Sequence, residues 1–140
     1  MLAIEHIGST SIPGMFSKPI VDIGVLLSDM SDAEKYIKPL ASIGYTYFPE
    51  SSSSERHFFR KGNPVEFHIS LAYKDRGTFW ARQISFRDYL RMNRESRDEY
   101  IKLKKELLNV DPTGGKKYIN GKCEFVKSIL MKSEKVPLHS

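Results

Sequence analysis

A Gly8-Ser9 pair follows a short apolar stretch, and after twelve intervening residues Asp22 stands inside the run Pro19-Ile20-Val21-Asp22-Ile23-Gly24-Val25. Residues of these types can hold a phosphate and a metal ion. A glycine lets a phosphate approach the backbone, and a serine hydroxyl with nearby N–H groups can hold its oxygens. An acid fixed in a strand offers a hard oxygen to Mg²⁺, which keeps most of its waters and bridges to phosphate. Ser11 and Lys18 lie on the connecting loop. Both are candidate phosphate contacts, Lys18 as a point charge on a flexible stem. The competing readings are an ordinary turn at Gly8-Ser9 and a solvated loop lysine at Lys18.

A second set of candidates lies further along. Glu66 and His68 share one face of the stretch Val65 to Leu71, because strand side chains alternate. If that face meets Asp22, then Asp22, Glu66 and His68 form a catalytic and metal-binding set for one divalent ion. Carboxylates suit Mg²⁺ or Mn²⁺, and an imidazole moves the preference towards Mn²⁺ or Zn²⁺. Otherwise Glu66 and His68 are a solvent-facing pair, or His68 bonds to a neighbour. Arg87 and Arg91 are four apart on one helix face and can clamp phosphate in bidentate fashion, unless Asp88 or Glu95 takes them. Arg82, a turn earlier, is assigned to surface pairing. Lys122 shares a stripe with Tyr118, Phe125 and Ile129, so it must pair or snorkel; a phosphate in a cleft would serve. Of Arg56, His57 and Arg60 around a hairpin, Arg56 is the one assigned to a cleft. His6 is read as a buried, hydrogen-bonded histidine that fixes the loop.

These residues need a frame. Leu2 to Ile7 reads as a strand, and the β-branched run Ile20 to Leu27 as a central strand covered on both faces. Ser31-Asp32-Ala33-Glu34 is a capping box for a helix with Ala33, Tyr36, Ile37 and Leu40 inward; Pro39 kinks or shortens it and Gly44 ends it. Tyr45 to Phe48 reads as a strand. Arg56 to Arg60 and Val65 to Leu71 read as two more, joined by the turn Lys61-Gly62-Asn63-Pro64. From Thr78 the period turns helical. One stripe carries Trp80, Ile84 and one of Arg87 or Asp88. A second helix runs from about Glu95 to Leu108 with Tyr100, Leu103 and Leu107 aligned, and a third follows Asp111-Pro112-Thr113-Gly114-Gly115. The expected class is α+β: a mixed sheet of about five strands, then about three helices. All of it falls in a single domain over 1–140, sheet-rich over 1–75 and helical over 76–132, with 133–140 as a frayed tail.

Composition bounds the function. At 140 residues and 40% hydrophobic content, with eight Phe and seven Tyr, the chain can build a folded core. No apolar run approaches the ~20 residues of a membrane span, and the N-terminus does not resemble a signal peptide. The lone Cys123 has no disulfide partner, so a reducing cytoplasm is the expected home, with Cys123 packed on a helix. Charge is uneven: residues 1–73 carry six Lys/Arg against eight Asp/Glu, and residues 74–140 carry sixteen against nine. The basic half can steer anionic small molecules, or it is simply a set of solvated helix faces. It has no helix-turn-helix pattern and no aromatic RNA-binding motif, so nucleic acid ranks last among partners.

Taken together, Ile4-Glu5-His6-Ile7-Gly8-Ser9-Thr10-Ser11-Ile12-Pro13-Gly14 and Lys18-Pro19-Ile20-Val21-Asp22-Ile23 resemble the opening signature of the GrpB-like family, assigned to the nucleotidyltransferase superfamily. Glu66-Phe67-His68-Ile69 falls where that family usually has a His-Leu-His-Val strand. Phe86-Arg87-Asp88-Tyr89-Leu90-Arg91 resembles its Phe-Arg-Asp-Tyr-Leu-Arg helix, and Tyr100, Leu103, Lys104, Leu107, Tyr118, Lys122 and Phe125 match the helices after it. The resemblance implies a nucleotidyltransferase-like fold, a nucleotide or other phosphorylated small molecule as ligand, and Mg²⁺ or Mn²⁺ as cofactor. It also implies transfer of a nucleoside monophosphate to an acceptor. The alternative is an accessory module that binds nucleotide or CoA-type ligands without catalysis, since such domains also occur fused to dephospho-CoA kinases. Two departures stand out. The superfamily's second acid, two residues after Asp22, is here Gly24, and the family's first strand histidine is here Glu66. The resemblance also departs at the start: family chains usually carry a leading helix before the Glu5-His6-Ile7-Gly8-Ser9 strand, and this sequence begins almost at that strand. The bare sheet face expected without the helix would favour a homodimer.

Overall fold

Five strands form one mixed sheet: β1 (Ala3–Ile7), β2 (Val21–Leu27), β3 (Thr46–Tyr47), β4 (Arg56–Gly62) and β5 (Val65–Tyr73), in the spatial order β1-β2-β5-β4-β3. The structure is a computed structural model that describes residues 2–15, 20–29 and 34–135. β2 and β5 pair in parallel, while the other three ladders are antiparallel. A parallel pair needs a crossover, and here it contains helix α1 (Glu34–Ser42), β3 and β4. The apolar run of β2 fits a strand with a neighbour on each side.

Alternation divides the sheet's residues between two faces. Val25, Leu27, Phe59, Ile69, Leu71 and Tyr73 turn to one face and cluster with Tyr45 and with Tyr36, Ile37 and Leu40 of α1. Their neighbours in sequence turn to the other face. There the register sets Ile7, Asp22, His68 and Arg60 side by side in one row, and Gly24, Ser70 and Phe58 in the next. Pro39 lies inside the nine-residue α1, and Gly44, with φ 99°, follows its end as expected. The expected capping residues Ser31, Asp32 and Ala33 lie outside the described residues.

Contacts along the chain divide it into two units, residues 1–11 with 17–84 and residues 12–16 with 85–140. The division at 84/85 falls within helix α2 (Phe79–Met92), which is followed by α3 (Arg94–Val110) and α4 (Lys116–Lys135). In the second unit Ile12, Leu90, Tyr100 and Ile129 form the core, with Phe86, Tyr89 and Phe125 packed on it. The rings of Tyr100 and Phe125 stack at 4.9 Å and 6°. The α+β class, the five-strand mixed sheet and the three C-terminal helices agree with the sequence-based expectation. Two details differ. α4 continues to Lys135 with Ser133 buried, past the expected start of the tail at 133, and Cys123 is exposed on α4 instead of packed. Among the described residues, no helix is long and apolar enough to cross a membrane.

Candidate functional site

Where β1 ends at Ile7, Gly8 turns the chain with φ 74° and Ser9–Ser11 form a single 3₁₀ turn. Ile7 stands opposite Asp22 in the antiparallel ladder. The turn therefore begins directly against the Asp22 carboxylate. A Cβ at Gly8 would lie 2.6 Å from Asp22 Oδ2, so both the backbone angle and the close approach require glycine. The Ser11 hydroxyl donates to the Gly8 carbonyl and is buried, which makes it a clasp of the turn. Ser9 is half-buried at the start of the turn. His6 Nε2 and Thr10 Oγ1 are 2.7 Å apart, so His6 does fix the loop, but from an exposed position and not the buried one expected. Lys18 lies outside the described residues.

Across the parallel pair, His68 stands opposite Asp22, and its Nδ1 lies 3.0 Å from Asp22 Oδ1. One strand further, Arg60 stands opposite His68. Arg56 Nη1 donates to Ser70 Oγ at 3.0 Å. Phe58 is the centre on which these groups converge. Arg56 lies over its ring at 4.5 Å, Arg60 at 5.6 Å, and the His68 ring meets it edge-on at 4.8 Å. Arg60 also covers Phe48 at 4.4 Å. Burial pushes the Arg56 guanidinium below its ordinary pKa, and the negative charge of Asp22 acts in the opposite direction. Gly8, Asp22, His68 and Arg56 thus belong to one neighbourhood on the polar face of the sheet.

The expected set of three ligands does not close. Among the described residues, no three His, Cys, Asp or Glu side chains are grouped to hold a metal ion. Glu66 keeps the same alternation as His68, but β2 begins at Val21, which pairs with Phe67. Glu66 is therefore beyond the end of its neighbouring strand, and it is exposed. The second-acid position is crowded as well. A Cβ at Gly24 would lie 3.1 Å from Trp80 Cζ3 and 3.3 Å from Ile7 Cδ1, so apolar groups fill the space into which a carboxylate would project.

The remaining candidates belong to the second unit. Arg87 is buried and donates to Asp88 Oδ1 from Nε and Nη2, each at 2.9 Å. Arg91 is exposed near the end of α2. Lys122 is half-buried on α4, and Lys104 of α3 is 3% exposed. Burial first, and the charge of Lys122 second, bring the Lys104 amine down to about 8. Arg82 meets Glu55 Oε2 at 3.1 Å, the surface pairing expected of it. Sequence reasoning preferred Arg56 to Arg60 and named Lys104 only as part of a matching helix. Each had a signal: Arg60 is four residues after Arg56 and so on the same strand face, and Lys104 is one helical turn beyond Tyr100.

The family described as GrpB protein matches residues 1–132 of this chain. The crystal structure of conserved protein GrpB from Enterococcus faecalis is similar with a TM-score of 0.83 and 34% identity, over 96% of this chain and 81% of that one. UPF0157 protein YqkA of Bacillus subtilis (strain 168) is 35% identical over 128 residues, 91% of this chain; the chain spans 37% of that relative's length. A more distant likeness, 24% identity over 129 residues, is to a dephospho-CoA kinase of Mycolicibacterium paratuberculosis and covers 74% of this chain and 32% of that protein.

Proposed function

Since the chain belongs to the GrpB family, we propose that its nucleotidyltransferase-like sheet binds a nucleotide or related phosphorylated small molecule at the Gly8-Ser9 turn and Asp22, as a binding module without two-metal transfer chemistry. The observation that carries this reading is the approach of Gly8 to Asp22, where a Cβ would lie 2.6 Å from the carboxylate. A glycine kept free of side chain beside a lone strand acid suits a ligand phosphate held by backbone N–H groups and the Ser9 hydroxyl. Arg56, turned towards Ser70, supplies a guanidinium on the same face.

Nucleotidyl transfer by two ions ~3.5–4 Å apart calls for bridging carboxylates. Gly24 and the exposed Glu66 do not provide them, which favours binding over transfer. The donor set does fit a single hard cation. Asp22 would hold it, and the ion would neutralise charge between that carboxylate and the ligand's phosphate. His68 orients the carboxylate through Oδ1. The likeness to part of a dephospho-CoA kinase supports CoA-type precursors as ligands alongside nucleotides.

A thermal-shift screen of nucleoside triphosphates and dephospho-CoA, each with and without Mn²⁺, tests the proposal, because a ligand that binds only the folded state raises the unfolding midpoint. The expected result is a rise with at least one phosphorylated ligand that disappears in Asp22→Ala. An equal rise in Asp22→Ala would refute the site, and metal-dependent release of pyrophosphate would restore the transferase.

A further inference from the structure

Arg60 is held in an unusual way. Its guanidinium covers Phe48 at 4.4 Å and lies 5.6 Å from the centre of the Phe58 ring, while its Nε is buried without a hydrogen-bond partner among the described residues. A buried donor with nothing to donate to calls for an explanation, and an acceptor that arrives with a ligand is one. The register gives that acceptor its place. Asp22, His68 and Arg60 stand in one row on three adjacent strands, so Arg60 is two strand spacings, roughly 10 Å at the backbone, from the acid beside the Gly8 turn. A single phosphate seated at Gly8 stays far from Arg60, whereas a chain of phosphates running along the row, met by the reach of the long arginine side chain, closes the gap. Arg56 approaches the same Phe58 ring from its own side, at 4.5 Å, and bonds Ser70. Both guanidinium groups cover Phe58, which suits the ring to positioning arginines better than to stacking a base.

Resting on the phosphate-binding reading above, we infer that Arg60, with Arg56, forms a second phosphate subsite, which makes the ligand a di- or triphosphate in preference to a monophosphate. The planar guanidinium fork matches phosphate oxygens in a way that a lysine does not. On binding, the side chain of Arg60 swings off Phe48 and meets the distal phosphate with Nε and a terminal nitrogen together. Arg60 is thus a specificity residue for phosphate number, separate from the Gly8 and Asp22 contacts that hold the first phosphate.

Calorimetric titration of adenosine mono-, di- and triphosphate and of inorganic triphosphate, each with Mn²⁺, into wild type, Arg60→Gln and Arg60→Lys decides the matter. Wild type should bind the di- and triphosphates at least tenfold more tightly than the monophosphate. Arg60→Gln should erase that step and leave monophosphate affinity within twofold, and Arg60→Lys should retain only part of it. Unfolding midpoints of the variants confirm that they fold, and Arg60→Lys carries the test if Arg60→Gln does not. Equal wild-type affinity for mono- and triphosphate overturns this inference and leaves the Gly8–Asp22 site standing. Triphosphate affinity unchanged in both Arg60 variants does the same. Failure of wild type to bind any of the four ligands overturns both.

Discussion

The two faces of one sheet are built from the same strands and have opposite chemistry. On β2, Ile23, Val25 and Leu27 turn into the apolar cluster under α1, while Asp22 and Gly24, which alternate with them, turn the other way. On β4, Phe59 is fully buried in that cluster, and Phe58 beside it holds Arg56 and Arg60 on the opposite side. The difference shows how a short strand keeps a site rigid: each polar residue is anchored by an apolar neighbour that cannot move without breaking the core. It also shows why a lone acid can stand in an apolar run without being buried there, since Asp22 is half-exposed while the adjacent Ile23 packs on the core of the other face.

Adjacent phenylalanines give the sharpest test of this contrast. Phe59→Ala should lower stability by about 3–5 kcal/mol in urea denaturation and leave ligand affinity unchanged. Phe58→Ala, at a position that is also buried, should lose stability too and in addition release the two arginines and weaken ligand binding. If the two variants gave the same profile, the separation of the faces would be lost. Next in size is Gly8→Ala, where a positive φ and the Asp22 carboxylate both oppose a side chain; a loss of about 2–3 kcal/mol is expected. Adding Asp22→Ala should return part of it, and a double-mutant cycle measures the coupling. Full additivity would mean that the two residues do not touch.

The helical unit offers a buried cation for comparison. Lys104 titrates at about 8 in the folded protein against an ordinary 10.5, through burial and the nearby charge of Lys122. Below pH 8 the lysine is charged in both folded and unfolded states, and the burial penalty is fully present. Between pH 8 and 10.5 the folded state gives up its proton first, the unfolded state binds more protons, and stability rises with pH. Relative to Lys104→Met, wild type should therefore gain about 3 kcal/mol between pH 7 and 10.5, the order set by a shift of this size. Parallel pH profiles for the two proteins would contradict a buried, depressed Lys104. The smallest effect is expected of Arg82→Ala. Its bond to Glu55 is at the surface, so the loss measured in urea should stay below about 1 kcal/mol.

Much of this architecture was legible in the chain, because local signals carried it. The strands of the sheet and the three C-terminal helices followed from hydrophobic period, and the Gly8-Ser9 turn with Asp22 followed from residue type and spacing. What escaped depends on non-local pairing. Glu66 has the right alternation on β5, yet whether it meets Asp22 is decided by where β2 starts, and nothing in β5 encodes that. The row from Asp22 through His68 to Arg60 needs the strand order β2-β5-β4, in which the parallel pair is made by strands distant in sequence. Gly24 read as a lost acid, and only the packing of Trp80 and Ile7 shows that a side chain there would be crowded by apolar groups. Arg87 left a choice between phosphate and Asp88 that spacing alone cannot make.

The most direct measurement of the central claim is an amide NMR titration of the ¹⁵N-labelled protein with a nucleoside triphosphate and Mg²⁺. The amides of Gly8, Ser9, Asp22 and His68 should shift together and saturate with one affinity, while those of Val25, Phe59 and Leu71 on the apolar face stay in place. Saturable shifts confined to other residues, with Gly8 and Asp22 unmoved, would contradict the account.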